Sequence, residues 1–441
     1  MYNRVNFIIW LIATFFIVFF SIAEEVKAEE RLIKMVILSR HGFRPPVETH
    51  EFLEEWSEKQ WPYWPVKDGY LTQRGSVLIS ILWEGLHEDP WMKELFPRNI
   101  CPDPQSIYVR SDTMERTQAT AIAILNGFAS GCDFQYRVLD TTEGDPLFTP
   151  LETGCCSLDF TKVIQEFNQQ YGGVQTLRKD LEEPLKIVAD VLGYCPEATC
   201  KKYGLSSECS VLDIPDTIIL NKHNGVHLTG GLGISALSAA LFFLELGEWP
   251  KGNLSGINVS QDIVKKVFPL QTKIFNAIHR IPEMATVKAS GILKTITDAL
   301  TNSDTDSDVN KAKLVIFVGH DTNIANIAGI LSVDWDIPGY PSGATPPGGM
   351  LVFTLWETPN GNIVKAHYIC QSLETVTTPS IYPQKIYKQQ LYSVSPTTSK
   401  KVNKEPFEYS EKQFKEWVYR LVKKDCIIKE TRPLISKRTL Y

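Results

Sequence analysis

The sequence LSRHGFRPP, residues 38–46, sets two arginines and a histidine within five positions, directly behind the apolar run Met35-Val36-Ile37-Leu38. A short apolar run rich in branched residues, such as Ile33–Leu38, reads as a strand buried on both faces of a parallel sheet. Charge at the end of such a strand stands at the edge of the sheet, where a ligand can reach it. Gly42 permits a tight turn and Pro45-Pro46 stiffens the chain beyond it, so Arg40, His41 and Arg44 sit on a rigid loop. Guanidinium forks match the oxygens of a phosphate, and a histidine among them can act as ligand or nucleophile. A basic surface turn is the plainer alternative. The succession of strand, tight turn and two arginines favours an anion site.

Two more apolar runs end the same way: Ser106–Val109 before Arg110-Ser111-Asp112, and Leu314–Val318 before Gly319-His320-Asp321. Ligands of α/β sheets sit beyond the carboxyl ends of the strands, so the three clusters are expected to converge on one cleft. Residues 112–116 (DTMER) open a helix that Asp112 or Thr113 can cap, with Arg116 about one turn inside and able to point back into the cleft. In FVGHDTN, residues 317–323, Asp321 is either a plain N-cap or a carboxylic acid placed to donate a proton. Phe160–Leu192 and Ile234–His279 show helical periodicity and read as a mainly helical insertion. Met350–Trp356 and Ile363–Cys370, joined through Pro359-Asn360-Gly361, read as a β-hairpin, which makes the sheet mixed. Phe414, Trp417, Val418, Leu421 and Val422 form one face of a closing helix.

A chain of 441 residues outgrows a single core, so a second or inserted domain is expected. Its formal charge of -6 gives no global attraction for nucleic acid, so any anion site arises from local clustering. Residues 1–28 carry Arg4, an apolar run from Phe7 to Phe20 and small residues at Ser21–Ala23 and Ala28. This reads as a secretory signal peptide cleaved after Ala23 or Ala28, with an uncleaved anchor as the alternative. No later segment reads as apolar long enough to cross a bilayer. All nine cysteines lie beyond it, and an exported chain supports disulfides, with at least one thiol left unpaired by the odd count. Asn253 and Asn258 are glycosylation acceptors in a host that glycosylates. There is no GxxxxGK[ST] loop, HExxH or CxxC pair. His223 and His227 lack an evident third zinc ligand, and Gly230-Gly231-Leu232-Gly233 reads as close packing at a helix start. No metal and no cofactor is expected.

These residues carry a family resemblance. RHGFRPP fits the RHGxRxP signature of histidine acid phosphatases, Arg116 falls where that family has its second-loop arginine, and Gly319-His320-Asp321 fits its HD motif. The stretches at 61–75, 145–154, 319–331 and 345–349 resemble the bacterial periplasmic branch that includes phytases and glucose-1-phosphatases. The resemblance implies an α/β fold with a mixed, mainly parallel sheet, helices on both faces and a smaller inserted helical domain. The catalytic domain would span 29–156 and 281–441, and the helical one 157–280.

It also implies roles. His41 matches the nucleophile that becomes a phosphohistidine, and Arg40, Arg44, Arg116 and His320 match the clamp on the phosphoryl oxygens. Asp321 matches the proton donor, and Asp112 falls at a substrate-pocket position. By position, Cys101 pairs with Cys132, Cys156 with Cys426, and Cys200 with Cys209, leaving Cys155, Cys195 and Cys370 unmatched. Where phytases of this branch carry threonine and lysine, the chain has Val47 and Glu48. A carboxylate there repels a polyphosphorylated substrate. The expected activity is therefore a secreted or periplasmic acid phosphatase acting on small-molecule phosphate monoesters. A phytase or sugar-phosphate phosphatase, and a non-catalytic binding protein on the same fold, are the alternatives. Oligomeric state is left open.

Overall fold

The run behind the opening loop is a strand whose side chains divide between two cores. Val36 and Leu38 enter one, Met35 and Ile37 the other. In this computed structural model, which describes residues 30–97, 100–223, 225–252, 257, 259–378, 385–394, 404–428 and 432–438, the strands follow in chain order. They are β1 (Arg31–Arg40), β2 (Ile107–Ser111), β3 (Gln135–Leu139), β4 (Thr217–Asn221), β5 (Gly225–Thr229), β6 (Leu314–Gly319), β7 (Val333–Asp334), β8 (Met350–Glu357), β9 (Ile363–Gln371), β10 (Ile386–Gln390), β11 (Tyr392–Ser393), β12 (Glu408–Ser410) and β13 (Leu434–Arg438). The signal-peptide reading of residues 1–28 and the acceptors Asn253 and Asn258 fall outside the described residues.

The main sheet runs β10-β9-β8-β1-β6-β2-β3-β13, with β12 also on β9. It is mixed and lies between helices, as expected, but parallel pairing does not dominate it. Among the described residues, only β1, β6, β2 and β3 pair in parallel, while β8, β9, β10, β12 and β13 add antiparallel ladders at the flanks. The physical reason lies in the connections. β8 and β9 are joined by a short hairpin, and β13 returns from the far end of the chain to close the edge beside β3. The parallel centre is where the site lies. Arg40 pairs with Gly319 across β1 and β6, and Ser111 with Val318 across β2 and β6, so the three charged clusters emerge at one edge.

On one face, Val36, Val315 and Phe317 pack under helices Pro282–Leu300, Asp321–Leu331 and Glu411–Leu421. On the other, Ile37, Val109 and Ile316 meet helices Gln73–His87 and Glu115–Phe128. A third core unites the helices between Phe160 and His279 with Phe43, Trp56 and Trp61. That region, read from sequence as mainly helical, also holds the β4–β5 hairpin. One of its helices, Gly230–Glu248, is long and apolar enough by composition to cross a bilayer, contrary to the expectation for the later chain. In the fold 83% of its apolar window is buried, so the apolarity serves a protein core.

Disulfides join Cys101 to Cys132, Cys156 to Cys426, and Cys200 to Cys209. Cys155, Cys195 and Cys370 are free thiols. The Cys156–Cys426 bond ties the start of the helical stretch to the chain's end across 270 residues, the span that gains most from cross-linking the unfolded chain.

Candidate active site

The backbone of His41 is pinned on both sides, its N–H donating to Gly319 O at 3.0 Å and its carbonyl accepting from Gly348 N at 3.0 Å. Its side chain is almost enclosed, 1% exposed, with Nδ1 2.9 Å from the carbonyl of Gly42. A carbonyl can only accept, so the proton resides on Nδ1 and the free lone pair on Nε2. Burial first, then the charges of Arg116, Arg44 and Arg40, hold the imidazole well below its ordinary range. The neutral imidazole is therefore the favoured form of His41.

The loop that carries it is locked from behind. Gly42 N donates to Thr120 Oγ1 at 3.1 Å, and Thr120 in turn donates to Arg116 O, so helix Glu115–Phe128 holds the loop of His41. A Cβ at Gly75 would lie 2.3 Å from Phe43 O, so only glycine lets helix Gln73–His87 approach this closely. The Phe43 ring points the other way, against Gly247 and Phe243 of the helical layer.

Three guanidinium groups surround the histidine. Arg40 reaches Asp321 Oδ2 with Nη2 at 2.8 Å and donates Nη1 to Thr345 O. Arg44 donates Nη1 to Pro45 O at 2.8 Å. Burial, with Arg116 and Arg40 nearby, pushes Arg44 down to about 10, which leaves it charged in acid and at neutrality. Arg40, Arg44 and Arg116 each bury an Nε–H that finds no protein acceptor. Three orphaned donors on mutually repelling cations suit an oxyanion with several acceptor oxygens.

His320 stands edge-on to His41, ring centroids 5.6 Å apart, with Nε2 2.6 Å from Asp112 Oδ2. Asp112 differs from its expected place in a substrate pocket. It is fully buried behind His320, and its carboxylate also accepts from the backbone N–H groups of Thr113 and Asp145. Burial raises that carboxyl, but the bonds to His320 and the backbone outweigh it and hold the group below the usual range. Asp321 is governed by the same contest. Burial pushes it up, while Arg40, Arg44, His320 and His279 pull it further down, so the unliganded carboxyl is ionised at neutral pH.

Beyond these groups opens a cleft of about 320 Å³, lined by Arg40, Arg44, Glu48 and Asp321 on one side and by helices Gly230–Glu248 and Gln261–His279 on the other. Glu48 therefore faces the cleft. Val47 is half-exposed, with its side chain beside Gly69.

Sequence reasoning passed over Thr120, Asp145 and His279. Asp145 forms a buried ion pair with Arg110 at 2.8 Å and supports Asp112 through its backbone. His279 is pushed by burial down to about 3, with Lys288 adding to the effect, and lines the cleft as a neutral ring. None of the three lies in a spaced motif. Only Asp145 carried a signal, within the stretch 145–154 that shares the family resemblance.

The fold and this phosphate-shaped cradle define a class. The chain belongs to the histidine phosphatase superfamily (branch 2), whose model matches residues 31–370, and it is a phosphoric monoester hydrolase of the histidine acid phosphatase type. It is 31% identical over 364 residues to phytase AppA of Escherichia coli K12, covering 78% of this chain and 82% of that one. Glucose-1-phosphatase of Salmonella typhimurium is 28% identical over 359 residues, covering 78% and 81%. Among solved structures, apo Hafnia alvei phytase superposes with a TM-score of 0.80 at 30% identity, covering 91% of this chain and 99% of that one. The same enzyme in complex with myo-inositol hexakis sulphate superposes with a TM-score of 0.79 at 28% identity.

Proposed function

We propose that the protein is an exported acid phosphatase that hydrolyses phosphate monoesters through a phosphohistidine. The single observation that carries this is the buried ring of His41, its Nδ1 2.9 Å from the Gly42 carbonyl and Arg40, Arg44 and Arg116 around it. The phosphoryl group binds with its oxygens on Arg40, Arg44, Arg116 and His320, which stabilise charge spread over those oxygens in the transition state. Nε2 attacks phosphorus, the ester P–O bond breaks, and the leaving alkoxide takes the proton of Asp321. Water then attacks the phosphohistidine, giving its proton back to Asp321, and inorganic phosphate leaves.

Asp321 is ionised while Arg40 holds it. A phosphate dianion competes for Arg40, and once that partner is lost, burial favours the protonated acid the reaction needs. This supports an acidic optimum. The disulfides support an oxidising compartment. Phytate hydrolysis is the second reading, favoured by the likeness to named phytases; Glu48 on the cleft opposes it.

The test is a panel of phosphate esters with wild type and His41→Ala. Expected is loss of turnover in the variant, and an acid-labile phosphoenzyme trapped in wild type only. Turnover surviving in His41→Ala would overturn the nucleophile, and loss of wild-type rate after dialysis against a chelator would overturn the metal-free mechanism. A wild type that hydrolyses no ester would favour the non-catalytic binding protein.

A further inference from the structure

We infer that the cleft receives the alcohol half of its substrate on an apolar surface, so that the preferred substrates are singly phosphorylated esters of alicyclic or aromatic alcohols. This rests on the phosphatase reading of His41 and the arginines.

The wall facing the cradle comes from two helices packed side by side. Leu237, Leu241 and Leu244 recur at helical spacing on Gly230–Glu248, and Phe268, Phe275 and Ile278 face them from Gln261–His279. Leu237 and Phe275 are only partly buried, which leaves apolar surface open inside a concave site. Pockets use such surface to hold a ligand's apolar body while a few polar groups orient it.

Among the described residues of the wall, the cations are Arg40 and Arg44, both already committed to the transferred phosphate. His279 is neutral, and Glu48 is acidic. Further phosphates on a polyphosphorylated ring would meet the Glu48 carboxylate and a wall of apolar and neutral side chains, with their charge desolvated and unpaired. The hydroxyls of a polyol would fare little better, since Gln271, His227, His279 and Glu48 are the polar side chains offered beyond the cradle. An alicyclic or aromatic ring, by contrast, loses only apolar surface to the wall.

The experiment compares cyclohexyl phosphate, myo-inositol 1-phosphate and myo-inositol hexakisphosphate, which share a six-carbon ring and an alkyl leaving group. The expected kcat/KM for cyclohexyl phosphate exceeds that for inositol 1-phosphate at least about tenfold, with the hexakisphosphate lowest. In Leu237→Asn and Phe275→Asn, changes at partly buried sites whose folding is checked by thermal unfolding, the preference falls below about threefold. Equal kcat/KM values, a preference for the hexakisphosphate, or a ratio unmoved in both folded variants would overturn the inference while the phosphatase reading stands. If none of the three esters nor methyl phosphate is hydrolysed, the phosphatase reading has failed and the inference falls with it.

Discussion

Arg40 and Asp321 form a single 2.8 Å ion pair between the first strand's end and the helix after the sixth. In the proposed reaction, the pair must separate for catalysis, since one partner is needed by the phosphate and the other must hold a proton. Asp321→Asn therefore removes the donor without removing the cradle. The expected loss in kcat is about 10²- to 10⁴-fold for alkyl phosphates, and far smaller for 4-nitrophenyl phosphate, whose leaving oxyanion needs no proton. Steady-state rates with both esters decide it; equal losses would remove Asp321 from the role.

In the proposed reaction Asp321 acts in its protonated form, so the wild-type kcat is expected to fall as pH rises above the pKa this carboxyl has in the substrate complex. A pH profile with an alkyl phosphate shows the decline. In Asp321→Asn the profile should lose that limb.

Asp112 holds His320 at 2.6 Å and touches no reacting atom. Asp112→Asn keeps the size of the side chain but replaces a charge-assisted bond, and the expected effect is a 10- to 100-fold drop in kcat, as for other groups that orient a working histidine. KM should change by less than kcat. A rise in KM alone would instead return Asp112 to the substrate pocket.

Glu48 meets whatever leaves the cradle. Glu48→Lys replaces repulsion by attraction and is expected to raise kcat/KM for phytate severalfold while leaving that for 4-nitrophenyl phosphate within about twofold. An unchanged phytate rate would shift the discrimination to the apolar helices.

Glu245 lies inside helix Gly230–Glu248 and is 6% exposed; burial pushes it up to about 8. Unfolded, the group titrates near 4.3. Between those values the folded chain keeps a proton that the unfolded chain has lost, so stability falls as pH rises from about 4.5 to about 8. At roughly 1.4 kcal/mol per unit, the penalty reaches several kcal/mol at pH 8. Urea unfolding at pH 5 and pH 8 should show that loss in wild type and a flatter dependence in Glu245→Gln.

The central strands and their charged ends were legible because a two-faced buried strand is a continuous apolar run and the chemistry follows it in sequence. Ile33–Leu38 and Leu314–Val318 fall within observed strands, as does Ser106–Val109 except for Ser106, which closes a short turn before β2. The flanks were not. Gln135–Leu139 and Leu434–Arg438 mix polar and apolar residues; the first is a strand between β2 and β13, and the second pairs with β3 from nearly 300 residues away. The β4–β5 hairpin hides in the same way, because four of the five residues of β4 are exposed and its side chains follow no buried period. The contact of Asp112 with His320 was not legible because sequence gives a residue's neighbours along the chain, and His320 stands 208 positions away.

Phe43 occupies the variable position of RHGFRPP, with its backbone against Gly75 and its ring against Gly247. It works as a dowel: the loop that carries His41 is wedged between helix Gln73–His87 and the helical layer. A shift of that helical layer is therefore passed through Phe43 to the loop that carries His41.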